Sequence, residues 1–169
     1  MRLFFALWPD EDVRRRLAQV AGELTLAGTG GRLVSQSNYH LTVAFVGEVP
    51  DIKLAVMQQI GRSIRMSGFT IPFASIEFWA KSRVIVAAAQ EIPPELIELW
   101  QHLHDAIGLS TSALRAHVTL ARKIAQAPVL PAMSRISWRA ASFSLIRSDT
   151  GGVESAYTVV DTWPLLYES

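Results

Sequence analysis

Two histidines, each followed two residues later by a threonine, are the residues of this chain best suited to chemistry: His40 and Thr42 within NYHLTVAFVG, and His117 and Thr119 within RAHVTLARK. An imidazole ordinarily titrates near 6.5, so two of them can hold opposite protonation states at neutral pH. Set across a phosphodiester, one activates water and the other protonates the departing oxygen, each step worth on the order of 100-fold to 10,000-fold. A threonine hydroxyl donates to the non-bridging oxygens, where negative charge concentrates in the transition state. Such a reaction needs no metal.

The spacing places each pair on one face of a strand, because side chains alternate and residues i and i+2 point the same way. Both copies continue as aliphatic-Ala, so His-aliphatic-Thr-aliphatic-Ala spans 40–44 and again 117–121. The next position holds Phe45 in one copy and Arg122 in the other. Strict alternation turns these two residues away from the threonines, and only a strand-end twist or a bulge brings them back. Arg122 is a candidate to hold a phosphate through its guanidinium, the alternative being a solvated charge beside Lys123. Phe45 is a candidate to stack on a base, the alternative being core packing. Tyr39 and Trp79 are weaker stacking candidates, and Arg83, Arg115 and Arg147 could widen a positive patch. His102 and His104, two apart on a helix, point to different sides and cannot form an i, i+4 metal pair; they read as surface histidines.

The elements that must position the two motifs follow from periodicity and breakers. Arg2 to Trp8 reads as a strand. Pro9 and the acidic residues after it open a helix with Val13, Leu17, Val20 and Leu24 on one stripe, and Gly28 to Gly31 ends that segment. The first motif strand covers about residues 39 to 46. A second helix after Pro50 turns Ile52, Val56, Ile60 and Ile64 inward. Phe69 to Trp79 and Arg83 to Ala89 read as strands joined at Lys81-Ser82, and Pro93-Pro94-Glu95 starts a third helix carrying Leu96, Leu99, Trp100, Leu103 and Ile107. The second motif strand precedes two last strands, about Trp138 to Arg147 and Ala156 to Thr162, with Gly151-Gly152 as a hairpin between them. Arg2 to Leu24 and Arg83 to Leu103 share one order: strand, proline with acid, helix, then a His-Thr strand. This is how two related lobes look in a sequence, and a pseudo-twofold pairing of them brings the motif strands face to face across a cleft.

Composition bounds the answer. The 169 residues, 50% hydrophobic and 18% charged, suffice for one compact unit. A net charge of +1 argues against coating nucleic acid by bulk electrostatics, so a polyanion must meet a local cluster. The lack of cysteine removes disulfides and thiolate chemistry and suits a reducing compartment. No apolar run approaches the roughly 20 residues that span a bilayer, and Asp and Glu interrupt the opening segment where a signal peptide would be apolar. The expectation is a cytoplasmic protein with no membrane partner, and nothing in the sequence points to an oligomer.

With both motifs in view, the chain resembles the 2H phosphoesterase superfamily, and over nearly its full length its bacterial RNA 2′,3′-cyclic phosphodiesterase branch, also called the 2′-5′ RNA ligase family. The likeness includes Arg2-Leu3-Phe4-Phe5-Ala6, the segment Asn38 to Glu48, the strand start Ser82-Arg83-Val84, the segment His117 to Arg122, and the closing Tyr157 and Trp163-Pro164-Leu165. The resemblance implies an α+β fold, one domain over residues 1–169 made of two intertwined lobes, its two antiparallel sheets forming a central cleft with helices packed outside. It implies hydrolysis of a 2′,3′-cyclic phosphate at an RNA or oligonucleotide end, tRNA fragments among the candidate substrates, by a monomer without cofactor or metal. By the same resemblance His40 is the proton donor to the leaving 3′-oxygen, His117 the base that activates water, and Thr42 and Thr119 hold the phosphate. The near-symmetric motifs do not themselves divide acid from base. One departure is visible: the family commonly has Pro before the second histidine, where this chain has Ala116, which suggests a looser start to that strand. A cyclic phosphodiesterase for small nucleotides and a non-catalytic RNA-end binding module are the alternative readings.

Overall fold

The run RLFFAL at the start of the chain is apolar on both faces of a strand, which suits the centre of a sheet rather than its edge. The computed structural model describes residues 1–110, 113–149 and 156–166, and places that run at Arg2–Leu7 as β1. Along the chain follow α1 (Glu11–Gly22), β2 (Arg32–Leu33), β3 (Leu41–Glu48), α2 (Leu54–Ser63), β4 (Phe69–Phe73), β5 (Ser75–Trp79), β6 (Val84–Ala88), α3 (Pro94–Ile107), β7 (His117–Arg122), β8 (Ile136–Ala140), β9 (Ser142–Asp149) and β10 (Ala156–Pro164). One sheet has the order β10-β9-β1-β3, a second β2-β7-β6-β5, and β4 pairs with β8 in a third. Every pairing among the described residues is antiparallel, so the expected α+β architecture with two principal antiparallel sheets is present.

The duplication extends to the register. In the first sheet Phe4 opposes Phe45 and Phe5 opposes Ala44, and then the pairing jumps so that Ala6 opposes Thr42. In the second Val84 opposes Arg122, Ile85 opposes Ala121, and the pairing jumps so that Val86 opposes Thr119. Val43 and Leu120 are therefore the extra residues of two equivalent β-bulges. The same register makes Leu3, not Arg2, the counterpart of Arg83, shifting the repeat read from the sequence by one position. Arginine identity is a poor anchor here, because Arg83 has a left-handed backbone (φ 57°) and its carbonyl accepts from the Ile124 amide.

Both central strands are buried on two sides. Leu3, Phe5 and Leu7 of β1 and Ile85 and Ala87 of β6 enter one continuous core. On the other face Phe4 and Ala6 cluster with Ile146 against Trp8 and Tyr157, while Val84, Val86 and Ala88 cluster against Trp79. Helix contacts are crossed: α1, which follows β1, packs on β7 of the second sheet, and α3, which follows β6, packs on β3 of the first. Asp10 caps α1 by accepting from the Val13 amide, and Val13, Leu17 and Ala21 are its buried stripe.

Several sequence expectations are corrected. Ile52 and Val56 are exposed (82% and 46%), and α2 buries Met57 and Gly61 instead. A 3₁₀ turn over Asp51–Lys53 precedes α2, which starts its apolar stripe later than periodicity alone suggests. Phe69 to Trp79 is two strands in different sheets, broken at Ala74, and the strand expected from Trp138 to Arg147 is likewise divided at Ala141. Of the two histidines assigned to the surface, His104 is buried beside Trp100, its Nδ1 2.8 Å from the Trp100 carbonyl oxygen. The Gly151-Gly152 hairpin lies outside the described residues. Among those described, no helix is long and apolar enough to cross a membrane.

Candidate active site

The bulges decide what faces the cleft. After His40 and Thr42, partly exposed, come two consecutive buried residues, Val43 and Ala44, and then exposed Phe45; His117 and Thr119 are followed in the same way by buried Leu120 and Ala121 and exposed Arg122. One extra residue flips the parity of the strand, so Phe45 and Arg122 return to the face that their histidine and threonine occupy.

A hollow of ≈ 540 Å³ opens on that face, lined by His40, Thr42 and Phe45 of β3, Arg122 of β7, Tyr157 of β10 and Ser148 of β9, with Phe4 and Arg2 from β1. Four of the six residues singled out in the sequence meet here on two strands. His117 and Thr119 stand on β7 beside Arg122, outside that lining. The positive charge of His117 still depresses the pKa of His40, and Arg122 acts on both rings.

Each imidazole is fixed by the chain two residues before it. His40 Nδ1 lies 2.8 Å from the Asn38 carbonyl oxygen, and His117 Nδ1 lies 2.6 Å from that of Arg115. With Nδ1–H donating to the carbonyl, Nε2 is left as the working nitrogen on both rings. Ala116 does not loosen this arrangement. It is buried, its carbonyl accepts from the Ala89 amide, and the hydrogen bond of His117 matches that of His40.

The surroundings of the rings differ. His40 is enclosed by aromatics: Trp8 stacks on it at 5.2 Å and 13°, with Phe4 and Tyr157 each at 5.1 Å. His117 rests against Trp79 at 4.4 Å, with the Arg115 guanidinium on the same indole at 3.5 Å and the Trp79 Nε1–H donating to Glu77. Burial pushes the His40 pKa down to about 4, opposed by its carbonyl hydrogen bond and reinforced by the charges of Arg122 and His117. Burial likewise lowers that of His117, with Arg115 and Arg122 adding to the effect and Glu77 opposing it. Both shifts favour the neutral imidazole over the charged one.

A histidine whose folded pKa lies below its unfolded value of about 6.5 binds fewer protons folded than unfolded in the interval between them, so its stabilising effect is present above 6.5 and lost as pH falls towards 4. Acidification from pH 7 to 4 should cost roughly 2 to 3 kcal/mol through His40. Thermal melts of the wild type and of His40→Asn check this. The melting temperature of the variant should fall less over that range, and an equal fall would remove the basis for the depressed pKa.

Of the other candidates, Phe45 is 48% exposed with the Arg2 guanidinium 4.8 Å from its ring centre, which leaves it open to stacking rather than in the core. Tyr39 is 2% exposed and belongs to the core, so it is not a stacking residue. Arg83 donates to the Ile124 carbonyl, and Arg147 lies 3.5 Å from the Asp149 carboxylate. Sequence reasoning missed Phe4, Trp8 and Tyr157 as the walls around His40, and Arg2 and Ser148 as part of the hollow. The one available signal was the apolar outer face of β1. Among the described residues no cluster of three or more His, Asp or Glu is arranged to hold a metal.

The family described as LigT like Phosphoesterase matches residues 7–86. An RNA 2′,3′-cyclic phosphodiesterase of Escherichia coli is 28% identical, over 97% of this chain and 96% of its own, and one of Thermus thermophilus is 26% identical over 98% and 90%. The crystal structure of E. coli LigT complexed with 3′-AMP superposes with a TM-score of 0.89 at 28% identity, covering 97% of each chain.

Proposed function

We propose, on the premise that this chain is a LigT-like phosphoesterase of the 2H superfamily, that it is an RNA 2′,3′-cyclic phosphodiesterase. It opens the cyclic phosphate at an RNA or oligonucleotide end to a 2′-phosphomonoester. In this reading His117 Nε2 takes a proton from water as the water oxygen bonds to phosphorus. The P–O3′ bond breaks, and His40 Nε2 supplies the proton that makes the 3′-hydroxyl. Thr42 and Thr119 donate to the non-bridging oxygens, Arg122 neutralises their charge, and Phe45 offers a face to the terminal base. The division of acid from base between the two histidines rests on the family resemblance.

The observation that carries this reading is the matched pair of bulged strands, each presenting His, Thr and then Phe45 or Arg122 on one face. Two separate imidazoles with Nε2 free are what an acid and a base on opposite sides of one phosphorus require. Microscopic reversibility allows the same groups to join RNA ends through a 2′-5′ bond without ATP. The reading also has the enzyme working as a single chain in the cytoplasm, with tRNA fragments among its substrates.

The test is incubation with an oligoribonucleotide ending in a 2′,3′-cyclic phosphate, with and without EDTA, and mapping of the product. Conversion to the 2′-phosphate at the same rate in EDTA is expected, because the two imidazoles carry both proton transfers. A requirement for added divalent metal, or tight binding without turnover, would overturn the reading.

A further inference from the structure

His40 is walled by three aromatic rings, whereas the described residues give His117 one, that of Trp79. The aim of its Nε2 therefore depends on whatever fixes a single indole. Across the second sheet Ser75, Ala88 and His117 form one row, Glu77, Val86 and Thr119 the next, and Trp79, Val84 and Arg122 a third. Trp79 thus stands in the row of Arg122, yet its side chain packs on Val84, Val86 and Ala88 and its ring reaches back to lie 4.4 Å from that of His117. Glu77, in the row between, holds this lean. Its Oε2 accepts from the Trp79 Nε1–H at 2.7 Å and its Oε1 from the Ser75 hydroxyl at 3.2 Å. The Arg115 guanidinium, 3.8 Å from the same carboxylate, lies over the indole as a cation on a ring face. Arg115 also supplies the carbonyl that takes the Nδ1–H of His117, so one cluster fixes the imidazole by its nitrogen and by its face. The matching row of the first sheet, Thr42, Ala6 and Ser144, ends in a buried hydroxyl bonded to Thr162. Glu77 has no counterpart there.

We propose that Glu77 is a positioning residue for His117: through Trp79 it holds the imidazole at the angle that proton transfer requires, and its negative charge stabilises the imidazolium formed when the ring takes a proton from water. The inference rests on the phosphodiesterase reading and deepens it, by naming what supports one of its two histidines. The charged and titratable groups that act on this ring are Glu77 of β5, Arg115 in the segment before β7, Arg122 at the end of β7, and His40 of β3. Glu77 is the anion of that set. Without it the two guanidinia face the new positive charge unopposed.

In steady-state hydrolysis of an oligoribonucleotide 2′,3′-cyclic phosphate, Glu77→Ala should lower kcat about tenfold, with KM altered far less. Trp79→Phe, which loses the N–H that Glu77 holds, should do the same, and the two changes together should cost little more than either one, because they break a single chain of contacts. Glu77→Gln keeps an acceptor for the indole and loses the charge, so its kcat should fall between those of the wild type and Glu77→Ala. In the same variant the His117 Cε1 proton resonance, assigned by its loss in His117→Asn, should titrate at lower pH than in the wild type. An unaltered kcat in Glu77→Ala, losses that multiply in the double variant, or an unmoved His117 titration in Glu77→Gln would overturn the positioning role. The titration does not depend on turnover. A wild type that leaves the cyclic phosphate intact, with the His117 resonance still following Glu77, would remove the phosphodiesterase reading and uphold the link between the carboxylate and the ring.

Discussion

Replacing either His40 or His117 by asparagine should lower hydrolysis of a 2′,3′-cyclic phosphate by roughly 100-fold to 10,000-fold, the usual contribution of one positioned proton-transfer group. Asparagine is the informative replacement, since its amide can keep the donation to Asn38 or Arg115 that Nδ1 makes while removing Nε2. It also leaves less of a void than alanine would among Phe4, Trp8 and Tyr157. The double variant should be little worse than either single one, because groups that act in one step fail together. Single variants that keep wild-type rates, measured alongside unchanged melting curves, would show that the motifs do not carry the reaction.

The pH dependence follows from the same environment. In the proposed roles His40 must be protonated and His117 neutral. With both pKa values lowered in the free enzyme, His40 to about 4, the competent form is most abundant on the acidic side of 6.5. kcat/KM should peak there and fall about tenfold per pH unit well above both values. A bound phosphodiester places negative charge beside both rings and favours their protonated forms. The optimum of kcat should therefore lie at higher pH than that of kcat/KM, and coincident optima would count against a substrate-supplied charge.

Trp163→Ala, a change outside the site, should be strongly destabilising, by about 3 to 5 kcal/mol. The indole is 7% exposed, lies 5.2 Å from Phe143 and 6.0 Å from Phe5, and closes over α2 at Gly61. At about 2 to 4 °C per kcal/mol for a domain of this size, the melting temperature should drop by about 6 to 20 °C. Gly61 tests the same contact from the other side. An added Cβ there comes within 2.4 Å of the indole, so Gly61→Ala should lose stability, although alanine in a helix interior ordinarily gains about 1 kcal/mol over glycine. A more stable Gly61→Ala would show that the ring has room to move.

The motifs were legible because their chemistry is written in residue type and spacing. The repeat of strand, helix and motif strand was legible because apolar periodicity and proline positions are local. What escaped depended on register. A bulge at Val43 or Leu120 leaves no mark in a sequence of aliphatic residues, yet it alone returns Arg122 to the face of Thr119. Ile52 and Val56 have the right spacing for a buried stripe, but the face of α2 is chosen by where Trp163 needs a glycine beneath it. His104 reads as a polar residue until the Trp100 carbonyl offers its ring a partner inside the helix. The aromatic walls of His40 come from strands over a hundred residues apart, and no local pattern joins Trp8 to Tyr157.

The crossing of α1 and α3 also fixes when the enzyme can first exist during its synthesis. As the ribosome releases the first motif strand, the helix that will cover it is still some fifty residues from being made. β1 then waits for β9, near the end of the chain, to complete its sheet. Neither half of the nascent polypeptide can mature alone, and folding must await sequence-distant contacts that slow it. A truncated translation product should accordingly lack a working half-site that could capture RNA ends without releasing them.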